Sequence, residues 1–135
     1  STFGNQCLVI SIEAKKNANS WEAYYDNGRE RSGLDAIEWA QQCEELGAGE
    51  LLLTSVDKEG TGKGFDVELI RNITEKVKIP VIASGGMGNQ QHLVELVKNT
   101  NVDAVCMAKI LHYDTLKVSE IRDHCLNNSI PVRKI

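Results

Sequence analysis

No apolar run in this 135-residue chain approaches the roughly 18 to 20 residues that a helical membrane span requires. The opening Ser1-Thr2-Phe3-Gly4-Asn5-Gln6 lacks the charged and apolar regions of a secretory signal, so a cytosolic protein is the expectation. Cysteine is sparse and scattered. Cys7, Cys43, Cys106 and Cys125 include no Cys-x-x-Cys pair that would point to a zinc site or a redox motif, and all four are expected to pack as small apolar residues. An excess of base is also missing: 15 Lys+Arg stand against 19 Asp+Glu, for a net charge of -4. That balance excludes a global positive field for nucleic acid or an anionic membrane and leaves room only for a local anion site. His92, His112 and His124 form neither a His-Glu-x-x-His spacing nor a cluster, so no metal and no cofactor is assigned. With no linker or low-complexity tract, residues 1–135 read as a single domain.

What is present is a repeating unit. Apolar runs at Cys7 to Ile12, Glu50 to Val56, Pro80 to Ser84 and Ala104 to Ala108 read as buried strands. Each is followed by apolar residues at helical spacing: Ala36, Trp39, Cys43 and Leu46; Leu69, Ile70, Ile73 and Val77; Leu93, Leu96 and Val97; Val118, Ile121 and Cys125. Asp66 and Asn89 stand at N-cap positions, and Gly47 and Ile79-Pro80 mark helix ends. Between the first strand and first helix, Asp26-Asn27-Gly28 separates Trp21-Glu22-Ala23-Tyr24-Tyr25 from Arg29-Glu30-Arg31, which predicts an inserted β-hairpin. Near-continuous apolar strands joined by helices imply an α/β fold with a parallel sheet and right-handed crossovers. Two architectures fit: a small doubly wound sheet with helices on both faces, or a (β/α)4 half of an eightfold barrel with all helices outside. The half-barrel would expose two strand edges and one concave face, and would need a partner.

The informative residues follow the strands. Thr54-Ser55-Val56-Asp57-Lys58-Glu59-Gly60-Thr61-Gly62-Lys63-Gly64-Phe65-Asp66 combines hydroxyls, acids, lysines and three glycines before a helix. It reads either as a backbone cradle for an anion or as a flexible surface loop; its spacing completes neither a dinucleotide fingerprint nor a P-loop. Ser84-Gly85-Gly86-Met87-Gly88-Asn89 also ends at a helix N-terminus, where N–H donors and the positive end of the dipole suit phosphate. Ala108-Lys109 closes the fourth strand and adds a point charge. In a barrel the loops after the last two strands often share one phosphate site; a tight turn and a solvated lysine are the alternative. Glu13, with Lys15 close by, stands at the end of the first strand, where a barrel holds its proton-transfer groups. An exposed Glu-Lys pair is the plainer reading.

In order, Ser11-Ile12-Glu13-Ala14-Lys15, Gly47-Ala48-Gly49-Glu50-Leu51-Leu52-Leu53-Thr54-Ser55-Val56-Asp57-Lys58-Glu59-Gly60-Thr61, Gly64-Phe65-Asp66, Ile79-Pro80-Val81-Ile82-Ala83-Ser84-Gly85-Gly86 and Pro131-Val132-Arg133 resemble one known pattern. It is the C-terminal half of the cyclase subunit of imidazole glycerol phosphate synthase, a histidine-biosynthesis family of complete eightfold barrels. The resemblance takes in the Tyr25-Asp26-Asn27-Gly28-Arg29-Glu30 insertion. It implies a cyclase or lyase that takes ammonia from a glutaminase partner, joins it to a phosphoribulosyl-aminoimidazole substrate and closes the imidazole ring. Two aspartates serve as general acid and base in the family, one from each barrel half.

Carried across, Glu13 matches the aspartate of this half, and Glu59-Gly60 an Asp-Gly of the active loop. Thr54 and Ser84 match ligand-facing strand ends. Ser84-Gly85-Gly86 and Ala108-Lys109 fall on a substrate phosphate site, and Glu50 on a charged gate where ammonia enters at the opposite end. Glu13 and Glu59 stand where the family has aspartates, and Lys109 where it has a small residue. One added methylene moves a carboxylate by on the order of 1 Å, which costs about a hundredfold where geometry is strict. The resemblance therefore implies a half-barrel that binds a sugar phosphate across its strand ends and turns over little or not at all as a single chain. Two other readings stand beside it: a cyclase-like amidation subunit paired with a glutamine amidotransferase, and a non-catalytic homodimer that closes a barrel from two copies.

Overall fold

The computed structural model describes residues 8–25 and 28–106. The expected fourth helix at Val118, Ile121 and Cys125 lies outside these, as do Cys7, Ala108, Lys109, His112, His124, Pro131-Val132-Arg133 and the Asp26-Asn27 tip of the insertion. Strand β1 spans Val9–Asn17, β2 Ser20–Tyr25 and β3 Glu30–Asp35. Helix α1 (Ala36–Glu45) leads to β4 (Glu50–Ser55), α2 (Val67–Lys76) to β5 (Val81–Ser84), and α3 (Gln90–Asn99) to β6 (Ala104–Cys106). The sheet order is β3-β2-β1-β4-β5-β6. The last four of these strands are parallel neighbours and β2-β3 is an antiparallel extension. Among the described residues no helix is long and apolar enough to cross a membrane.

Local chemistry accounts for the helix limits. Asp35, Asp66 and Asn89 each accept the N–H of the residue three positions on, at 3.1 Å, which satisfies donors that a helix start leaves unpaired. Asp66 and Asn89 are the expected caps, and Asp35 is a further one. Helix α1 stops where Gly47 takes φ 104° and donates to Glu44 O at 3.1 Å, a left-handed turn that glycine makes without a Cβ penalty. Helix α2 stops at extended Val77 (φ -112°, ψ 153°), before Pro80 could deny the helix an N–H.

Among the described residues the first strand begins at Val9 and runs past Ile12 to Asn17. Past Ile12 the backbone gains an antiparallel partner, from Glu13 opposite Tyr24 to Asn17 opposite Ser20. A loop of Ala18-Asn19 closes that hairpin, with Ala18 at φ 54°, the left-handed conformation tight hairpin loops demand. On the same side Val9 to Ile12 have no strand partner among the described residues, and Leu8 and Val9 are exposed there. The inserted hairpin β2-β3 is locked by Glu22, 5% exposed. Its carboxylate accepts from Arg31 Nη2 at 2.8 Å and Nε at 3.2 Å, from Asn17 Nδ2 at 3.1 Å and from Gly33 N at 3.2 Å. Trp21 ties the hairpin to α2 by donating Nε1–H to Asp66 at 2.9 Å.

Burial in the parallel strands alternates and is not continuous. Ile12, Ala14, Leu51, Leu53, Val81 and Ala83 are buried beneath Ala40, Cys43, Leu69, Ile70, Ile73, Val94 and Leu96 of the helices. Their neighbours Ser11, Leu52, Thr54, Ile82, Ser84, Ala104 and Cys106 are half-buried or exposed. All three helices bury their apolar residues in this one core, which excludes the doubly wound alternative and gives the α/β arrangement of a partial eightfold barrel. Cys43 packs as expected, and burial pushes its thiol up. Cys106 does not: it is exposed on the uncovered face, because β6 is an edge strand whose outer neighbour is not among the described elements.

Two stability measurements follow. Leu53→Ala is expected to cost about 2–5 kcal/mol, and Leu52→Ala, from the uncovered face, about 1 kcal/mol or less; equal losses in urea denaturation would mean that something covers that face. Arg31 hydrogen bonds, outweighing burial and helped by the Gly33 N–H, hold the Glu22 carboxyl below the usual carboxylate range. A group with a lowered folded value binds fewer protons when folded, so its contribution is full above its unfolded value and is lost as pH falls through the folded one. Glu22→Gln is expected to lower stability at neutral pH and flatten the acid side of the stability profile as pH falls through and below the ordinary carboxylate range; an unchanged acid slope would contradict this.

Candidate functional site

The uncovered face carries the candidate residues in register. At the carboxyl ends of the strands Glu13, Thr54, Ser84 and Cys106 form one row, with Tyr24 opposite Glu13 on the hairpin side. Beneath it lie Ser11, Leu52, Ile82 and Ala104, and beneath these Val9 and Glu50. Strands about 4.8 Å apart put the Glu13 and Ser84 backbones about 10 Å apart, and a rise of about 3.3 Å per residue puts Glu50 about 13 Å below Thr54. The period of two along each strand sends these side chains to one face.

Glu13 has an unusual environment. It is half-buried, and its Oε2 is shut off from solvent yet has no hydrogen-bond partner. A buried carboxylate oxygen left unpaired costs free energy, and such atoms are uncommon in folded proteins. Lys15, next along the same face, places Nζ 4.9 Å from the centroid of the Tyr24 ring, a cation–π contact that ties the lysine to the hairpin.

The loops after β4 and β5 are built against each other. Ser55 organises the first: its carbonyl accepts Glu59 N–H at 3.0 Å and its Oγ accepts Lys58 N–H at 3.3 Å. Asp57 accepts Lys16 N–H at 2.7 Å, pinning the loop to β1. Gly64 donates to Gly86 O at 2.7 Å. A Cβ on Gly86 would overlap Gly64 O, and one on Gly88 would overlap Gly62 O. Several glycines that suggest an anion cradle in the sequence are thus required for backbone to meet backbone, and the Gly64 amide is already committed. Glu59 and Gly60 are exposed, with the Glu59 backbone 3.5 Å from where a Gly85 Cβ would stand. The amides of Gly85 and Gly86 meet no protein acceptor among the described residues.

Helix α3 begins at this junction. Asn89 and His92 form a reciprocal capping box, in which His92 Nδ1 accepts from Gly88 N at 2.9 Å and from Asn89 N at 3.3 Å. In the sequence His92 fits no metal-ligand spacing; the signal for its cap role is the spacing Asn89-x-x-His92, a box with an imidazole where Glu or Gln is usual. The sequence marks Trp21 as a strand residue only, and its bond to Asp66 joins positions 45 apart, beyond any local pattern.

The structure therefore gathers Glu13, Lys15, Thr54 and Ser84 on one face, sets Glu59, Gly60, Gly85 and Gly86 in the adjoining loops, and puts Glu50 at the far end. Ala108 and Lys109 lie outside the described residues. Among the described residues no group of His, Cys, Asp and Glu could hold a metal ion. A cleft of about 480 Å³ lined by Lys16, Trp21, Ile37, Glu68 and Arg71 lies beside α2 and contains none of the row.

The family model described as "Histidine biosynthesis protein" matches residues 1–117. The chain is 47% identical over 135 residues to the imidazole glycerol phosphate synthase subunit HisF of Lactococcus lactis, covering 98% of this chain and 52% of that protein. It is 47% identical over 136 residues to the subunit of the same name from Prochlorococcus marinus, covering 98% and 53%. With that of a Nostoc species it shares 45% over 135 residues, covering 97% and 52%. The chain thus spans about half the length of the curated relatives it matches.

The loop junction is open to a direct test. Gly60 has φ 78° with nothing near its Cβ position, so Gly60→Ala is expected to cost only the left-handed penalty of about 1–2 kcal/mol. Gly86→Ala adds an overlap with the Gly64 carbonyl and is expected to cost at least about 3 kcal/mol. Thermal or urea denaturation of the two variants compares them; equal losses would show that the loops are not in backbone contact.

Proposed function

We propose, because the chain belongs to the histidine biosynthesis protein family, that it is one half of a cyclase barrel, binding a sugar phosphate across its strand ends and contributing one of two acid–base groups. The observation that carries this reading is the orphan Oε2 of Glu13. It is an acceptor at the ligand end of the uncovered face, with no protein donor to quench it. Once the side chain turns from its shielded position, a substrate N–H or O–H over the row would satisfy that oxygen, and the carboxylate would then remove or return the proton.

In this reading the Thr54 and Ser84 hydroxyls orient the ligand from either side. The Gly85 and Gly86 amides, with Gly60, Ala108 and Lys109, hold its phosphate. Glu59 contributes a second carboxylate from the active loop. Lys15 neutralises charge at the mouth, and its stacking on Tyr24 keeps it from folding onto Glu13. Glu50 marks the entry for ammonia supplied by a glutaminase partner, and the Leu52 layer lies between it and the row.

Closure is part of the function. Among the described residues Val9 to Ile12 and β6 have no strand partner on their outer sides at the two ends of the parallel set, and Leu52 and Ile82 present apolar surface between them. A barrel half with complementary strands, from a longer polypeptide or a second chain, would pair both edges, cover these side chains and bring the second acid. Closure by a second copy would instead supply a second Glu13 by symmetry.

The test is ammonia-dependent consumption of the phosphoribulosyl-aminoimidazole substrate, by the chain alone and with a complementary barrel half. Turnover is expected only in the closed assembly, and Glu13→Gln is expected to lower kcat by about 10²–10⁴-fold there. Full turnover by Glu13→Gln would remove Glu13 from the chemistry, and turnover by the monomeric chain would refute the need for closure.

A further inference from the structure

We infer that Arg31 is a positioning residue: by occupying Glu22 it keeps Lys15 unpaired and available to an anionic group of the ligand. This deepens the site proposed above and rests on the place given there to Lys15. On the face that carries the row, Lys15 stands between two carboxylates. Glu13 precedes it by two residues on β1, about 6.6 Å along the strand. Glu22 on β2 is its direct cross-strand partner, at about 5 Å between Cβ atoms. An acid and a base directly opposite each other stabilise a strand pair, so Lys15 with Glu22 is the pairing that the register favours. Among the described residues Lys15 forms no ion pair, and its Nζ lies 4.9 Å from the centroid of the Tyr24 ring instead.

Arg31 accounts for the missing pair. It stands opposite Tyr24 on β3 and sends its guanidinium to Glu22, with Nη2 2.8 Å from Oε1 and Nε 3.2 Å from both oxygens. Asn17 Nδ2 and Gly33 N add donors at 3.1 and 3.2 Å. A carboxylate has about four acceptor sites, and these donors fill them. Glu22 is 5% exposed, so its charge has little access to water, and loss of the guanidinium would leave it without a counter-ion. Lys15, directly across the strand pair, is placed to supply one. A single cation–π contact is weak unless it is desolvated and gives way to a shielded carboxylate of opposite charge. The planar fork of arginine engages both oxygens at once, which is what shuts the lysine out.

The experiment is NMR of the full chain, reading the Lys15 Hε resonances, paired with a titration of ribulose 5-phosphate as a sugar-phosphate probe at low salt. In the unmodified chain the Hε protons are expected upfield of an ordinary lysine, because the Tyr24 ring lies beneath them. Arg31→Gln is expected to abolish that upfield shift and to weaken probe binding about fivefold, as much as Lys15→Met does. The double variant Arg31→Gln with Glu22→Gln removes the competing charge. It is expected to restore the shift and to bring affinity back within about twofold of the unmodified chain. An Arg31 that merely braces the hairpin would leave the shift in place when replaced alone, or would lose it in the double variant as well. Either result overturns this role while leaving the proposed site standing. Unchanged probe affinity in Lys15→Met removes Lys15 from the site, and the role of Arg31 with it. No binding by the unmodified chain removes the sugar-phosphate reading itself.

Discussion

Among the described residues the parallel sheet has one face beneath helices and one face that no described element covers, and the rest of the described structure depends on that asymmetry. Ile12, Leu51, Leu53 and Val81 are at most 2% exposed because α1, α2 and α3 lie over them, and this layer supplies the hydrophobic free energy of folding. The opposite layer holds both the apolar Leu52 and Ile82 and the chemically able Glu13, Thr54 and Ser84. A strand with period two cannot hide the first pair without enclosing the second. In the proposed reading, covering the open face and forming a ligand chamber are one event, so the exposed apolar pair and the proposed chemistry share a cause.

Two glutamates on adjacent strands show how surroundings assign roles. Glu22 has donors from Arg31, Asn17 and Gly33, which stabilise its charged form and make it a clamp on the hairpin. Glu13, across the same β1-β2 pair, keeps an oxygen that is shielded and unbonded. A satisfied carboxylate has little left to offer a substrate. An unsatisfied one carries a cost that a bound donor would relieve.

The glycine-rich loops teach a different lesson. In the sequence they read as approach points for a ligand, and Gly85 and Gly86 still suit that purpose. Gly86 and Gly88 are also needed because the backbone of the neighbouring loop occupies the space of their missing side chains. Lys16, Asp57, Trp21 and Asp66 complete the fastening, so the mouth of the site is held by the hairpin, the β4 loop and the start of α3 together.

Much of this was legible in the chain itself. Apolar periodicity located each described β/α unit, Asp66 and Asn89 announced their helices, and Asn27-Gly28 the insertion, because these signals act over a few residues and local sterics decide them. The extension of β1 to Asn17 was hidden, since nothing in Glu13-Ala14-Lys15-Lys16-Asn17 says strand until β2 pairs with it. The same holds for the orphaned oxygen of Glu13, the exposure of Cys106, and the capture of two amides by His92. Composition and spacing determine which segments are helix or strand; which atoms end up shielded, satisfied or left over depends on neighbours brought from far along the chain, and only the packed structure decides that.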